Sequence, residues 1–187
     1  YRKSIYVMKQ ILSKSVVLIG IMGSGKSAIG NMLSEKLGVP FSDTDKMIEK
    51  ELGKEIYKIF EDSGEKYFRQ VEEKVVGRAL DSAAHIVSTG GGSILSPKTR
   101  SLIKLNSFSI WIRCDLRVIA KRILKQKQRP LLKNKNIVDS LIVKSEERIK
   151  FYNQADIYIT NEDPTLEITV DAVIKNLLLN KVLKEND

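Results

Sequence analysis

The run Gly20-Ile21-Met22-Gly23-Ser24-Gly25-Lys26-Ser27 sets glycines, a lysine and a hydroxyl at the spacing G-x-x-x-x-G-K-[ST]. That spacing suits a polyphosphate. Glycines let successive backbone N–H groups converge on phosphate oxygens, and a helix starting at the end of the run adds partial positive charge. Lys26 then reaches the β and γ phosphates, and the Ser27 hydroxyl is a ligand for Mg²⁺. Gly23, Ser24, Gly25 and Ala28 line the same cradle. The run implies a nucleotide donor and leaves the acceptor open.

Candidates for the acceptor side lie further along. In Val39-Pro40-Phe41-Ser42-Asp43-Thr44-Asp45 two carboxylates stand two residues apart at the end of an apolar run. Asp43 is placed to hold Mg²⁺ through water, since that ion takes one or two carboxylates and keeps several waters. Asp45 is placed to accept a hydrogen bond from a substrate hydroxyl and help remove its proton. The competing reading is that both only cap a helix beginning near Lys46. Gly90-Gly91-Gly92 follows another apolar run and permits close backbone approach to a small molecule, or is a plain turn. Arg148 falls in an apolar stripe with Leu141 and Tyr152, and Arg69 lies at the edge of the stripe that contains Val76. Each is a surface charge or ion-pair partner on one reading. Together near one cleft they suit a carboxylate, held by planar, bidentate contacts.

The elements that must position these residues follow from periodicity. Short runs rich in β-branched residues at Val16–Ile19, Val39–Phe41, Ile86–Val87, Phe108–Ile112 and Ile157–Ile159 read as buried strands. Helical periods separate them, through Ile29, Met32, Leu33 and Leu37, and through Phe68, Val71, Val75, Val76 and Ala79. Further helices are predicted from about Pro97 to Leu105, Leu116 to Leu124, Ile137 to Tyr152 and Thr165 to Leu179. Strands alternating with helices predict a three-layer α/β/α sandwich around a five-stranded parallel sheet. The phosphate loop and Gly90–Gly92 then both fall at the C-terminal edge of that sheet, where open α/β folds bind ligands. Residues before Val16 are predicted as a short helix through Ile5, Met8, Ile11 and Leu12 or as a mobile extension, and Lys184–Asp187 as a frayed tail.

At 187 residues with 42% apolar content the chain reads as one domain, residues 1–187. No apolar run approaches the ~20 residues of a membrane span, and no signal-peptide pattern precedes Val16, so a cytoplasmic protein is expected. One cysteine, Cys114, cannot form an internal disulfide, and one histidine, His85, excludes a histidine-rich metal cluster. The net charge of +9 is concentrated between Leu116 and Val138, a stretch without acidic residues. That stretch carries no aromatic residue on which bases would stack, which argues against single-stranded nucleic acid and suits a flap over a nucleotide.

In this order the motifs resemble shikimate kinase, a P-loop small-molecule kinase family. The resemblance runs from Val16 to Pro164 and rests on the phosphate loop, then Asp43-Thr44-Asp45, Phe68-Arg69 before Val71-Glu72, Ser88-Thr89-Gly90-Gly91-Gly92, Arg129-Pro130-Leu131-Leu132, and Glu147-Arg148 before Tyr152. It implies transfer of the γ-phosphate of ATP to the 3-hydroxyl of shikimate, a step of chorismate and aromatic amino acid biosynthesis, with Mg²⁺ as cofactor. Asp45, Arg69, Gly90, Gly91, Gly92 and Arg148 would hold shikimate, and Ser27 and Asp43 would serve the metal. Lys26, Asp45 and Arg129 would be catalytic. Arg129 resembles the arginine of a mobile lid, about residues 124–136, that reaches the phosphates. Arg122 matches the position along the adenine, and Thr160-Asn161 with Pro164 resembles the loop framing its other side. The acceptor-binding region would be about 44–80. Ala28 stands where many relatives carry threonine, and the loop around Glu162-Asp163 is short and lacks an arginine some relatives have. A monomer that binds neither nucleic acid nor membrane is expected. Two other readings are a kinase for a different small hydroxylated acid or a nucleoside monophosphate, and a silent nucleotide-binding regulator.

Overall fold

A computed structural model describes residues 11–125, 137–162 and 165–184. Five parallel strands form the central sheet: β2 (Ser15–Ile19), β3 (Phe41–Asp43), β4 (Ile86–Ser88), β5 (Ser107–Arg113) and β6 (Ile157–Thr160), in the order β3-β4-β2-β5-β6. β2 is central and buried throughout, and its side chains alternate between faces as a strand must. Val16 and Leu18 join the cluster under α1 (Lys26–Leu37) and α7 (Leu166–Leu179), with Ile29, Leu33, Val170 and Val173. Val17 and Ile19 face the opposite layer, where Val76, Ala79, Ile103 and Tyr152 come from α3 (Ile56–Leu80), α4 (Pro97–Asn106) and α6 (Ile137–Tyr152). The expected α/β/α layering around a five-stranded parallel sheet is therefore present.

α2 (Thr44–Leu52) and α3 share a smaller cluster of Ile48, Ile59, Phe68 and Val75 beside the sheet. α3 is interrupted at Gly64, whose backbone leaves the helical region at φ 77° and ψ 168°. α5 (Leu116–Lys125) packs with α6 through Ile119, Ala120, Ile123 and Leu141, and Ile21 of the phosphate loop joins that cluster.

Three local expectations are corrected. The second strand spans Phe41–Asp43, not Val39–Phe41. Pro40 has no N–H, so it contributes only its carbonyl, which accepts from Ile86 N at 3.0 Å, while Val39 packs into the core. Ile11–Leu12 form a strand, β1, not a helix, paired antiparallel with β7 (Leu183–Lys184). Lys184 is thus strand-paired where a frayed tail was expected. Ile5 and Met8 lie outside the described residues.

Candidate active site

The turn after β2 leads straight into α1, so Lys26 is its first residue, 8% exposed, with Nζ donating to the carbonyls of Gly20 at 2.7 Å and Ile21 at 3.0 Å. Ser27 Oγ donates to Asp43 Oδ2 at 2.6 Å. The other oxygen of Asp43 accepts from the backbone N–H groups of Asp45 at 3.0 Å and Lys46 at 3.4 Å, capping α2. Asp43 thus caps α2 and bonds Ser27 at once, so the capping role does not exclude one beside the phosphate loop. Asp45 is no cap. Its carboxylate lies against Gly90, where an added Cβ would stand 2.7 Å from Asp45 Oδ1. A hydroxyl beside a carboxylate is the hard oxygen donor set Mg²⁺ takes when phosphate and water supply the rest. Among the described residues no group of three or more His, Cys, Asp or Glu side chains forms a closed metal cage.

The residues expected to hold the acceptor lie where α3, the turn after β4 and α6 meet. Arg69 Nη1 bonds Glu72 Oε2 at 2.6 Å and Nη2 bonds Glu65 Oε1 at 3.0 Å. A Cβ at Gly92 would overlap the Arg69 guanidinium, and one at Gly90 would stand 2.5 Å from Glu72 Oε1. Glycines at 90 and 92 thus let the turn lie directly on these side chains. Glu72 is 2% exposed, and burial pushes its pKa up to about 6 against the opposing pull of Arg69, with Asp45 adding to the rise. Arg148 is 8% exposed in the apolar stripe of α6. Burial and then Arg148 pull the Lys144 ammonium below its ordinary value, against the opposing pull of Glu65 and Glu147. Tyr152 donates its hydroxyl to Gly91 O at 2.6 Å, and burial, opposed by Arg148, pushes it up to about 12, so it stays a neutral donor.

Buried polar atoms usually have partners. Among the described residues four buried side-chain atoms have none: Ser24 Oγ, Glu72 Oε1, Arg148 Nε and Thr99 Oγ1. The first three belong to the candidate site, where polar ligands would supply the partners they lack.

The model of the family described as Shikimate kinase matches residues 22–178. The chain belongs to the shikimate kinase family. It is 38% identical over 175 residues to a shikimate kinase of Ruegeria pomeroyi, covering 93% of this chain and 90% of that one. To that of Caulobacter vibrioides it is 36% identical over 165 residues, covering 88% and 82%. Among solved structures it is similar to a shikimate kinase from Acinetobacter baumannii in complex with shikimate, at TM-score 0.85 and 29% identity, covering 90% and 95% of the two chains. A gluconokinase from Sinorhizobium meliloti shares the fold at TM-score 0.57 and 16% identity, so the fold alone does not choose the acceptor.

The residues expected on the nucleotide side lie as follows. Gly23 lies against α5, where an added Cβ would meet Ile119 at 2.9 Å. Ala28 is exposed on α1. Arg122 donates from Nη2 to Asn161 O at 3.3 Å and from Nη1 to Cys114 Sγ at 3.5 Å, and burial pushes the Cys114 thiol up. Arg129 and Pro164 lie outside the described residues, as do residues 126–136 of the lid expected over about 124–136, while residues 124 and 125 end α5. His85 packs in the core, with Nδ1 2.9 Å from Ala83 O.

Sequence reasoning gave no role to Glu72 or Tyr152, and placed Asn161 only in the loop expected to frame the adenine. The signal for the first two is spacing: Glu72 stands three residues after Arg69 and Tyr152 four after Arg148, which puts each pair on one helix face. Nothing in the sequence ties Asn161 to the phosphate loop, because that contact joins residues 137 positions apart.

Proposed function

We propose that the chain transfers the γ-phosphate of ATP to the 3-hydroxyl of shikimate, giving shikimate 3-phosphate and ADP. Asp45, Arg69 and Glu72 lie against the Gly90–Gly92 turn, Arg148 acts electrostatically on Glu72, and the turn adjoins the phosphate loop, where a Cβ at Gly91 would stand 3.0 Å from Met22 N; that convergence carries this reading. Asp45 accepts the hydroxyl proton while the freed oxygen attacks the γ-phosphorus and ADP leaves. Arg69 and Arg148 hold the carboxylate by planar contacts. The phosphate loop, Gly23 to Ser27, and Lys26 hold the donor, with Arg122 and Pro164 along the adenine and Arg129 stabilising charge from the lid. Ser27 and Asp43 hold Mg²⁺, which neutralises charge on the phosphates when bound. One domain carries these parts, working as a monomer in the cytoplasm; among the described residues no helix is long and apolar enough to cross a membrane.

A coupled ADP-release assay with Mg²⁺, ATP and an acceptor panel tests this. Shikimate should turn over fastest. Asp45→Asn should lower kcat by about a hundredfold or more with the KM for ATP little changed, and Arg148→Ala should chiefly raise the KM for shikimate. No ADP release on adding shikimate would overturn the reading.

A further inference from the structure

We infer that Asn161 is a positioning residue that aligns the phosphate loop by fixing the Ser24–Gly25 peptide, and so sets affinity for the polyphosphate. The inference rests on the proposed role of that loop. A loop that turns its N–H groups inward must turn its carbonyls outward, and each buried carbonyl then needs a donor from elsewhere. Gly20 O and Ile21 O take Lys26 Nζ. Ser24 O takes Asn161 Nδ2 at 2.7 Å, from the corner between β6 and α7.

The orientation of the amide is determined. Ser24 O only accepts, so the nitrogen of the side chain must face it. Its oxygen accepts from Thr169 Oγ1 at 3.1 Å, and Asn161 itself is 3% exposed. A trans peptide points its C=O and N–H in opposite directions within one plane, so holding Ser24 O outward turns Gly25 N–H toward the phosphate side. Gly25, with φ 99°, has no room for a side chain, because a Cβ there would overlap Asn161 Nδ2. The backbone of Asn161 extends the link. Its N–H donates to Arg113 O at 2.7 Å at the end of β5, and its carbonyl accepts from Arg122 Nη2 at 3.3 Å on α5. One residue thus joins the phosphate loop, the sheet edge and the helix that leads toward residues 126–136.

Asn161→Asp keeps the shape and sets an oxygen against Ser24 O. It should raise the KM for ATP at least tenfold while the KM for shikimate stays within twofold, and the Gly25 amide resonance should no longer shift on addition of ADP as it does in the unaltered protein. Thr169→Val, which frees the amide to rotate, should raise the KM for ATP about threefold. Equal rises in both KM values, or an unchanged KM for ATP with a normal Gly25 shift, would overturn the inference. Should Asn161→Asp not fold, an unchanged KM for ATP in Thr169→Val would overturn it alone. The Gly25 resonance needs no turnover, so failure of shikimate phosphorylation in the unaltered protein would count against the proposed function and leave this test standing.

Discussion

Glu72 is held where its charged form is disfavoured. Its pKa rises from 4.5 to about 6 because burial outweighs the pull of Arg69, so ionising it in the fold costs about 2 kcal/mol more than in water. For a raised acid the stability contribution is complete below about pH 4.5 and is lost as pH climbs through about 6. The same charge faces the proposed carboxylate site, with Asp45, Arg69 and Arg148 as its charged neighbours. An anion beside Glu72 binds better once Glu72 is protonated. Calorimetry should therefore show shikimate affinity strengthening by about threefold to tenfold between pH 7.5 and 5.5, with the trend flattened in Glu72→Gln. At this scale the sequence shows Lys26, Ser27 and Asp43 well, because local spacing alone selects them. It shows Arg148 less sharply, since an arginine in an apolar stripe implies an anion without naming it. It leaves Glu72 without a role, because the burial that shifts Glu72 comes from three elements brought together only by the fold.

Between residues and the molecule, the turn after β4 acts as a floor on which α3 and α6 rest their side chains. Tyr152 of α6 fixes Gly91 O, Arg100 of α4 donates to Ile94 O at 2.8 Å and Leu95 O at 2.9 Å, and its guanidinium stacks on Phe151 of α6 at 4.1 Å. The turn therefore cannot retreat from an added side chain. Gly92→Ala should push Arg69 off its bond to Glu72, raising the KM for shikimate by about tenfold or more with the KM for ATP unchanged. A retained Arg69 position in a crystal structure of the variant would contradict this. Helices are the elements best read from sequence: α6 spans Ile137–Tyr152 as its apolar period predicts, and α4 starts at Pro97 after the Ser96 cap. β3 is misread by two residues because hydrophobicity marks burial, and Val39 is buried without belonging to the ladder.

Across the whole molecule, the strand pair β1 and β7 closes the bottom of the layer that holds α1 and α7. Ser13 N bonds Val182 O at 2.8 Å, and Leu12, at 6% exposure, joins the cluster containing Leu177, Val182 and Leu183. Leu12→Ala should cost about 2–3 kcal/mol and lower Tm by roughly 5–10 °C, with both KM values unchanged, because the seam lies at the opposite edge of the sheet from the site. Scanning calorimetry beside the kinetic assay checks both parts. This pairing is not legible in the sequence: two residues at each end carry it, too few for any period, and each half needs the other to be a strand at all. The α/β/α plan is legible because five apolar runs separated by helical periods admit few other arrangements. One further property follows from the core beside the acceptor turn. The chain has a single tryptophan, and Trp111 stacks on Tyr152 with ring centroids 5.7 Å apart, one ring behind the hydroxyl that holds Gly91. The unlabelled protein thus carries its own fluorophore under the turn proposed to hold shikimate, and its tryptophan emission comes from that one place.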